Sequence, residues 1–134
     1  MSDRRDVSGV WYGSYRGDFG NSNGFIAALE EAGGSFHGSI TEPNPDGGGE
    51  ILRATVSGQR SGTALRFVKQ YDGSGGWTHA VRYAGKIDDE GILISGVWLV
   101  DWLRGTFTME REKFTEEMLE AEEEAELSVT LDTR

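Results

Sequence analysis

The sequence of 134 residues contains no cysteine, two prolines and two histidines. Without cysteine there are no disulfides, thiolate metal sites or thiol nucleophiles, and the chain fits a reducing compartment. His37 and His79 are the only imidazoles and lack a ligand-type spacing, so no metal signature is present. No apolar run approaches the roughly 18 residues that would cross a bilayer. Met1–Asp6 is polar and charged, which shows no secretory signal. A soluble, cytoplasmic protein is expected. Nothing marks a nucleophile elbow or a phosphate-cradling loop, and Asp88-Asp89-Glu90-Gly91 lacks the alternating ligands of a calcium loop and reads as a tight turn. No cofactor is implied.

Basic charge is also scarce, with 13 Lys and Arg against 23 Asp and Glu, a net of −10. The imbalance is local. Met1–Met109 carries 10 basic and 13 acidic residues, whereas Glu110–Glu126 carries 2 and 9. The first region is nearly neutral and the second repels phosphate backbones, so nucleic acid is not an expected partner.

What the sequence does have is short β-like runs broken by Gly, Asn, Asp and Ser. Eight are expected: Val10–Arg16, Phe25–Glu31, Ser35–Glu42, Ile51–Ser57, Thr63–Tyr71, Thr78–Ile87, Ile92–Val100 and Leu103–Arg111. Pro43, Pro45 and Gly47-Gly48-Gly49 make the stretch between the third and fourth runs a loop. No helical pattern separates the runs, which disfavours parallel units. The fold class read here is all-β: an eight-stranded antiparallel up-and-down barrel over residues 1–111, closed so that no edge is left unpaired. Residues 112–134 read as a separate acidic extension. Thr115 caps a helix over 112–127 with Glu116 and Glu117 in its first turn, and Phe114, Met118, Ala121 and Ala125 fall on one stripe.

Gly9-Val10-Trp11-Tyr12, Gly34-Ser35-Phe36-His37-Gly38-Ser39, Tyr83-Ala84-Gly85, Ile94-Ser95-Gly96-Val97-Trp98-Leu99 and Gly105-Thr106-Phe107-Thr108 occur in that order. In this order they resemble the strand motifs of the avidin/streptavidin-like barrels, within the wider calycin group. The resemblance spans about Gly9–Met109 and implies the closed barrel. It also implies a biotin site, yet the polar positions of that site are occupied here by Gly13, Gly17, Ile40, Glu42, His79, Val81 and Gly105. Each lost contact to a buried polar ligand costs about 1–3 kcal/mol, so biotin is not the expected ligand.

Alternation of faces places Trp11, Gly13 and Tyr15 inside, together with Phe36, Gly38, Ile40 and Glu42. The fifth run contributes Leu65, Phe67, Lys69 and Tyr71, the sixth His79, Val81 and Tyr83, and the seventh Ile94 and Trp98. Trp11 reads as a plug for one end. The expected ligand site is the other end, the mouth: Tyr15, Glu42, Phe67, Lys69, Tyr71, His79, Tyr83 and Trp98, with Lys69 supplying positive charge to a small aromatic or acidic compound. Two bland alternatives remain open for Lys69, pairing with Glu42 or reaching water, and the aromatics could simply fill the lumen. Leu93, Val97 and Leu99 make the seventh strand apolar on its outer face too. A strand apolar on both faces is usually covered on both. Another subunit, giving a homo-oligomer such as a dimer, or the stripe with Phe114 and Met118 would cover it. The leading function is non-catalytic binding of a small molecule; the alternative is a structural or protein-interaction module with a filled barrel. An enzyme ranks third, because no acid/base pair or nucleophile constellation is visible.

Overall fold

The computed structural model describes residues 3–18 and 20–112. The expected C-terminal helix, with Phe114 and Met118, lies outside the described residues. The chain runs through β1 (Gly9–Gly17), β2 (Ser22–Ala32), β3 (Ser35–Pro43), β4 (Ile51–Ser61), β5 (Ala64–Tyr71), β6 (Ala80–Ile87), β7 (Leu93–Val100) and β8 (Leu103–Glu110). A single 3-10 turn, Ser74–Gly76, interrupts the β5–β6 connection. Every strand pairs antiparallel with the next, and β8 pairs back to β1 from Tyr12↔Glu110 to Gly17↔Gly105, closing the barrel. Closure leaves no strand edge to template pairing with another chain. None of the described residues forms a helix long and apolar enough to cross a membrane.

The period of two read from the sequence is the period of burial. In β5, Leu65, Phe67, Lys69 and Tyr71 are buried while Ala64, Arg66, Val68 and Gln70 are exposed. β2 and β4 are longer than expected. Asn23 and Gly24 read as turn residues but belong to β2, and Gly58 to β4, because pairing to neighbours overrides their local preference for turns. Rings fill the lumen. Phe67 stacks on Tyr83 with centroids 4.6 Å apart, and Phe36 and Phe107 meet Phe67 edge-on, each at 5.9 Å. Such pairs add about 0.5–1.5 kcal/mol beyond the area they bury.

One end is sealed by the segment that precedes β1. Val7 and Trp11 are fully buried, and the Trp11 indole Nε1 donates to the Val7 carbonyl at 2.9 Å. Arg111, just past β8, lies over the Trp11 ring at 4.4 Å. Its guanidinium donates to the carbonyls of Gly91, Ser8, Arg4 and Asp6 at 2.6–3.2 Å. Gly91 suits this junction twice over: its φ is +76°, and a Cβ there would sit 1.8 Å from the Arg4 carbonyl oxygen. Arg60 completes the seal by pairing with Glu31 (2.7 Å) and Asp3 (3.0 Å).

Candidate functional site

The opposite end carries the two buried charged residues, Glu42 and Lys69. Glu42 is the penultimate residue of β3, Lys69 and Tyr71 close β5, and Tyr15 and Asn23 face one another near the β1–β2 turn. Strand parity turns Glu42 and Lys69 inward, where they are 2% and 1% exposed. The Lys69 Nζ donates to Glu42 Oε2 at 3.2 Å. Tyr15 Oη donates to Glu42 Oε1 at 3.2 Å, and Tyr71 Oη donates to the same oxygen. Asn23 Nδ2 donates to Tyr15 Oη at 3.0 Å and to the Pro43 carbonyl at 3.1 Å. The ammonium also sits 4.7, 4.6 and 5.4 Å from the ring centres of Tyr15, Tyr71 and Tyr83. An ammonium removed from water is thus held by one carboxylate and three ring faces.

This environment shifts each group in the direction that burial dictates. Desolvation lowers the Lys69 ammonium below its ordinary value, opposed by the Glu42 charge. Burial first, and the Glu42 charge second, push the Tyr15 hydroxyl up to about 12. Tyr71 rises through burial and its bond to Glu42, and Tyr83 through burial and the Glu42 charge. Near neutral pH the tyrosines are therefore neutral donors.

Tyr83 differs from its neighbours. Tyr15 and Tyr71 spend their hydroxyls on Glu42, whereas the Tyr83 hydroxyl has no hydrogen bond to any described residue, although the residue is only 4% exposed. Every sealed side-chain nitrogen or oxygen among the described residues has a partner. The free Tyr83 hydroxyl therefore borders accessible space.

Of the residues expected at the mouth, Tyr15, Glu42, Lys69, Tyr71 and Tyr83 come together around the ammonium. Phe67 does not join them; it lies in the ring cluster beneath Tyr83. Trp98 is half-buried, meets Tyr15 edge-on at 6.2 Å and donates its indole proton to the Arg16 carbonyl at 3.0 Å. His79 precedes β6, is exposed, and stands at the rim 4.8 Å from the Tyr71 ring and 5.3 Å from Trp77. Of the two alternatives for Lys69, the structure shows the pairing with Glu42 and not escape to water.

Asn23, Trp77 and Arg111 were missed. Asn23 reads as a turn residue. Trp77 follows a glycine run that hides its place at the rim. Arg111 reads as the last residue of a strand, and the four carbonyls it binds leave no mark in a sequence. Two of the three glycines at avidin-type ligand positions make room for rings. A Cβ on Gly13 would sit 2.4 Å from Phe25, and one on Gly105 would sit 2.5 Å from the Trp98 indole nitrogen. Aromatic packing thus occupies the space that the resemblance gives to polar ligand groups.

No family model matches the chain, and no curated protein matches it in sequence. Its fold is similar to that of designed barrels. A redesigned β-barrel, b11L5F_LGL, has a TM-score of 0.70 at 10% identity, over 83% of this chain and 96% of that one. A de novo designed fluorescence-activating β-barrel has 0.62 at 15% identity, over 84% and 100%. A third, the redesigned barrel mFAP1 bound to DFHBI, has 0.64 at 12% identity, over 83% and 100%. At such identities the likeness is one of fold alone. It supports the closed eight-stranded antiparallel barrel and not membership of the avidin/streptavidin family.

Proposed function

We propose that the protein is a non-catalytic barrel that binds a small aromatic acid or phenol at its mouth. The observation that carries this reading is the Tyr83 hydroxyl, unpartnered by described residues at the inner face of an otherwise satisfied network. A ligand oxygen that accepts from this hydroxyl in place of water gains a net hydrogen bond of about 0.5–1.5 kcal/mol. Lys69 lies alongside, so an anionic oxygen placed there gains a second attraction. The half-buried Tyr15 and Trp98, with Trp77 and His79 at the rim, offer ring faces to the rest of the molecule. That two of the fold's neighbours are named for fluorescence activation or for bound DFHBI is consistent with a barrel able to hold a small compound. The chemistry disfavours catalysis: Lys69 and Glu42 neutralise one another, and the tyrosines are held protonated.

The test is a thermal-shift and fluorescence titration with small phenols, aromatic carboxylic acids and biotin. Several of the first two classes should stabilise the protein, and Tyr83→Phe should weaken them about tenfold, the equivalent of one hydrogen bond. Absence of any shift across the panel at millimolar concentration overturns the proposal. A second reading, an interaction module with a filled barrel, draws on the exposure of Val97 (53%) and of Leu93 and Leu99 (37% each) on the outer face.

A further inference from the structure

The outer wall carries a feature that ligand binding at the mouth does not use. An open groove of about 810 Å³ crosses β3 to β7 on the outside of the barrel. Its floor is partly apolar: Val68, Ala84, Val97 and Leu99 face outward there, with His37, Ser57 and Gln59 beside them. Two arginines stand in it. The register pairs Arg82 with Val68 on one side and Leu99 on the other, and pairs Arg66 with Ala84. Both are exposed, and neither makes an ion pair or hydrogen bond with a described residue. Other strongly placed cations of the barrel are committed: Arg60 to Glu31, Lys69 to Glu42, and Arg111 to backbone carbonyls. The groove therefore joins an apolar strip to two guanidinium groups that pair with no described residue, in a chain whose net charge is −10.

We infer that this groove is the docking site of the chain's own acidic C-terminal segment. Three observations select that occupant. The first is charge: Glu110–Glu126 holds 9 acidic and 2 basic residues, the complement of the arginines. The second is composition: Phe114, Met118 and Leu119 interrupt the glutamates and match the apolar strip. The third is position. β8 ends at Glu110 beside Leu93 of β7, and the outward side chains Leu93, Val97 and Leu99 lead from that point into the groove. Val97 lies four residues along β7 from Leu93, about 13 Å. The 23 residues from 112 to 134 reach up to about 75 Å when extended, and as a helix the stretch 112–127 would measure about 24 Å. Either form spans the distance. Docking in cis also gains from a high effective concentration that no separate partner has. Docked there, the segment would cover the outer apolar row and neutralise Arg66 and Arg82.

The absence of native cysteine makes the test direct. The double variant Val97→Cys/Met118→Cys should form an intramolecular disulfide under mild oxidation at least tenfold faster than Ile26→Cys/Met118→Cys. Ile26 faces outward on β2, is 46% exposed, and lies two strands from Glu110 on the side away from β7, so the segment leaving β8 starts at least as near to it as to Val97. Adding Arg66→Glu and Arg82→Glu, or 1 M sodium chloride, should remove most of that advantage, because exposed charges are screened within a few ångströms at that salt. Equal rates for the two pairs overturn the inference. So does a disulfide that forms only between chains and slows on dilution, which would give the groove to a second copy. A measurement without cysteines guards against misfolded variants: stopping the chain after Glu112 should move the methyl resonances of Val97 and Leu99 and leave those of Ile26 in place. Unmoved Val97 and Leu99 signals also overturn it.

Discussion

Both ends of the barrel hold a cation against aromatic side chains, yet they hold it differently. At the sealed end, Arg111 lies over Trp11 and donates to four backbone carbonyls from the segment before β1 and the β6–β7 turn. At the mouth, Lys69 lies among three tyrosine rings and donates to one side chain, Glu42. Backbone carbonyls in a packed turn cannot swing away, and a guanidinium presents its donors in a fixed fork. A carboxylate on a rotatable side chain and an ammonium with three donors can rearrange around a new anion. The same interaction thus ties one end to backbone carbonyls and the other to side chains, and the proposed ligand binding rests on the second being able to rearrange.

The largest effect should come from breaking the sealed end. Trp11→Ala removes a fully buried ring and its bond to Val7, and should cost about 3–5 kcal/mol in urea unfolding. At the mouth, Glu42→Gln leaves the Lys69 ammonium buried without a counter-charge and should cost about 3 kcal/mol. Here the two ends diverge: adding Lys69→Met to Glu42→Gln should recover part of the loss, since the amide still accepts from Tyr15 and Tyr71. A double variant no more stable than Glu42→Gln would show that the pair is not coupled. Tyr71→Phe removes one donor to the carboxylate and should cost about 2 kcal/mol by the same measurement.

A shallower effect comes from pH. Tyr15, Tyr71 and Tyr83 all have folded values raised above the ordinary 10.0, to about 12 for Tyr15. The stability they contribute is complete below pH 10 and is lost as pH rises beyond it, through about 12 for Tyr15. Lys69 acts in the opposite sense, because its folded value lies below 10.5 and the unfolded chain holds that proton to higher pH. Three groups outweigh one, so the melting temperature should fall between about pH 10 and 11.5; a constant or rising value would refute the burial assigned to the tyrosines. The smallest effect belongs to Tyr83→Phe, which removes a hydroxyl without a partner among the described residues and should leave unfolding within about 0.5 kcal/mol of the parent.

The barrel was legible because each strand alternates cleanly: Phe67, Lys69 and Tyr71 share one parity in β5, and so do Glu42, Ile40 and Phe36 in β3. Parity also turned Lys69 and Glu42 inward before their contact was visible. It could not decide between pairing and escape to water, because that depends on how two distant strands meet across the lumen. The ends were harder to read. His79 lies beyond the strand whose rhythm includes it on paper, Asn23 is a turn-former drawn into β2 by pairing with Tyr15, and Arg111 is bound by carbonyls that any residue carries. Alternation specifies a wall, while caps and rims are built from backbone geometry that no residue pattern encodes.

The indole protons of the four tryptophans give the most direct test of a sealed end and a rearranging one. Their signals in a two-dimensional nitrogen–proton spectrum should be followed while a small phenolic acid such as 4-hydroxybenzoate is added. The account predicts that Trp98 and Trp77 shift in a saturable way and that Trp11, bonded to Val7, stays fixed. No movement of Trp98, or movement of Trp11, would contradict it.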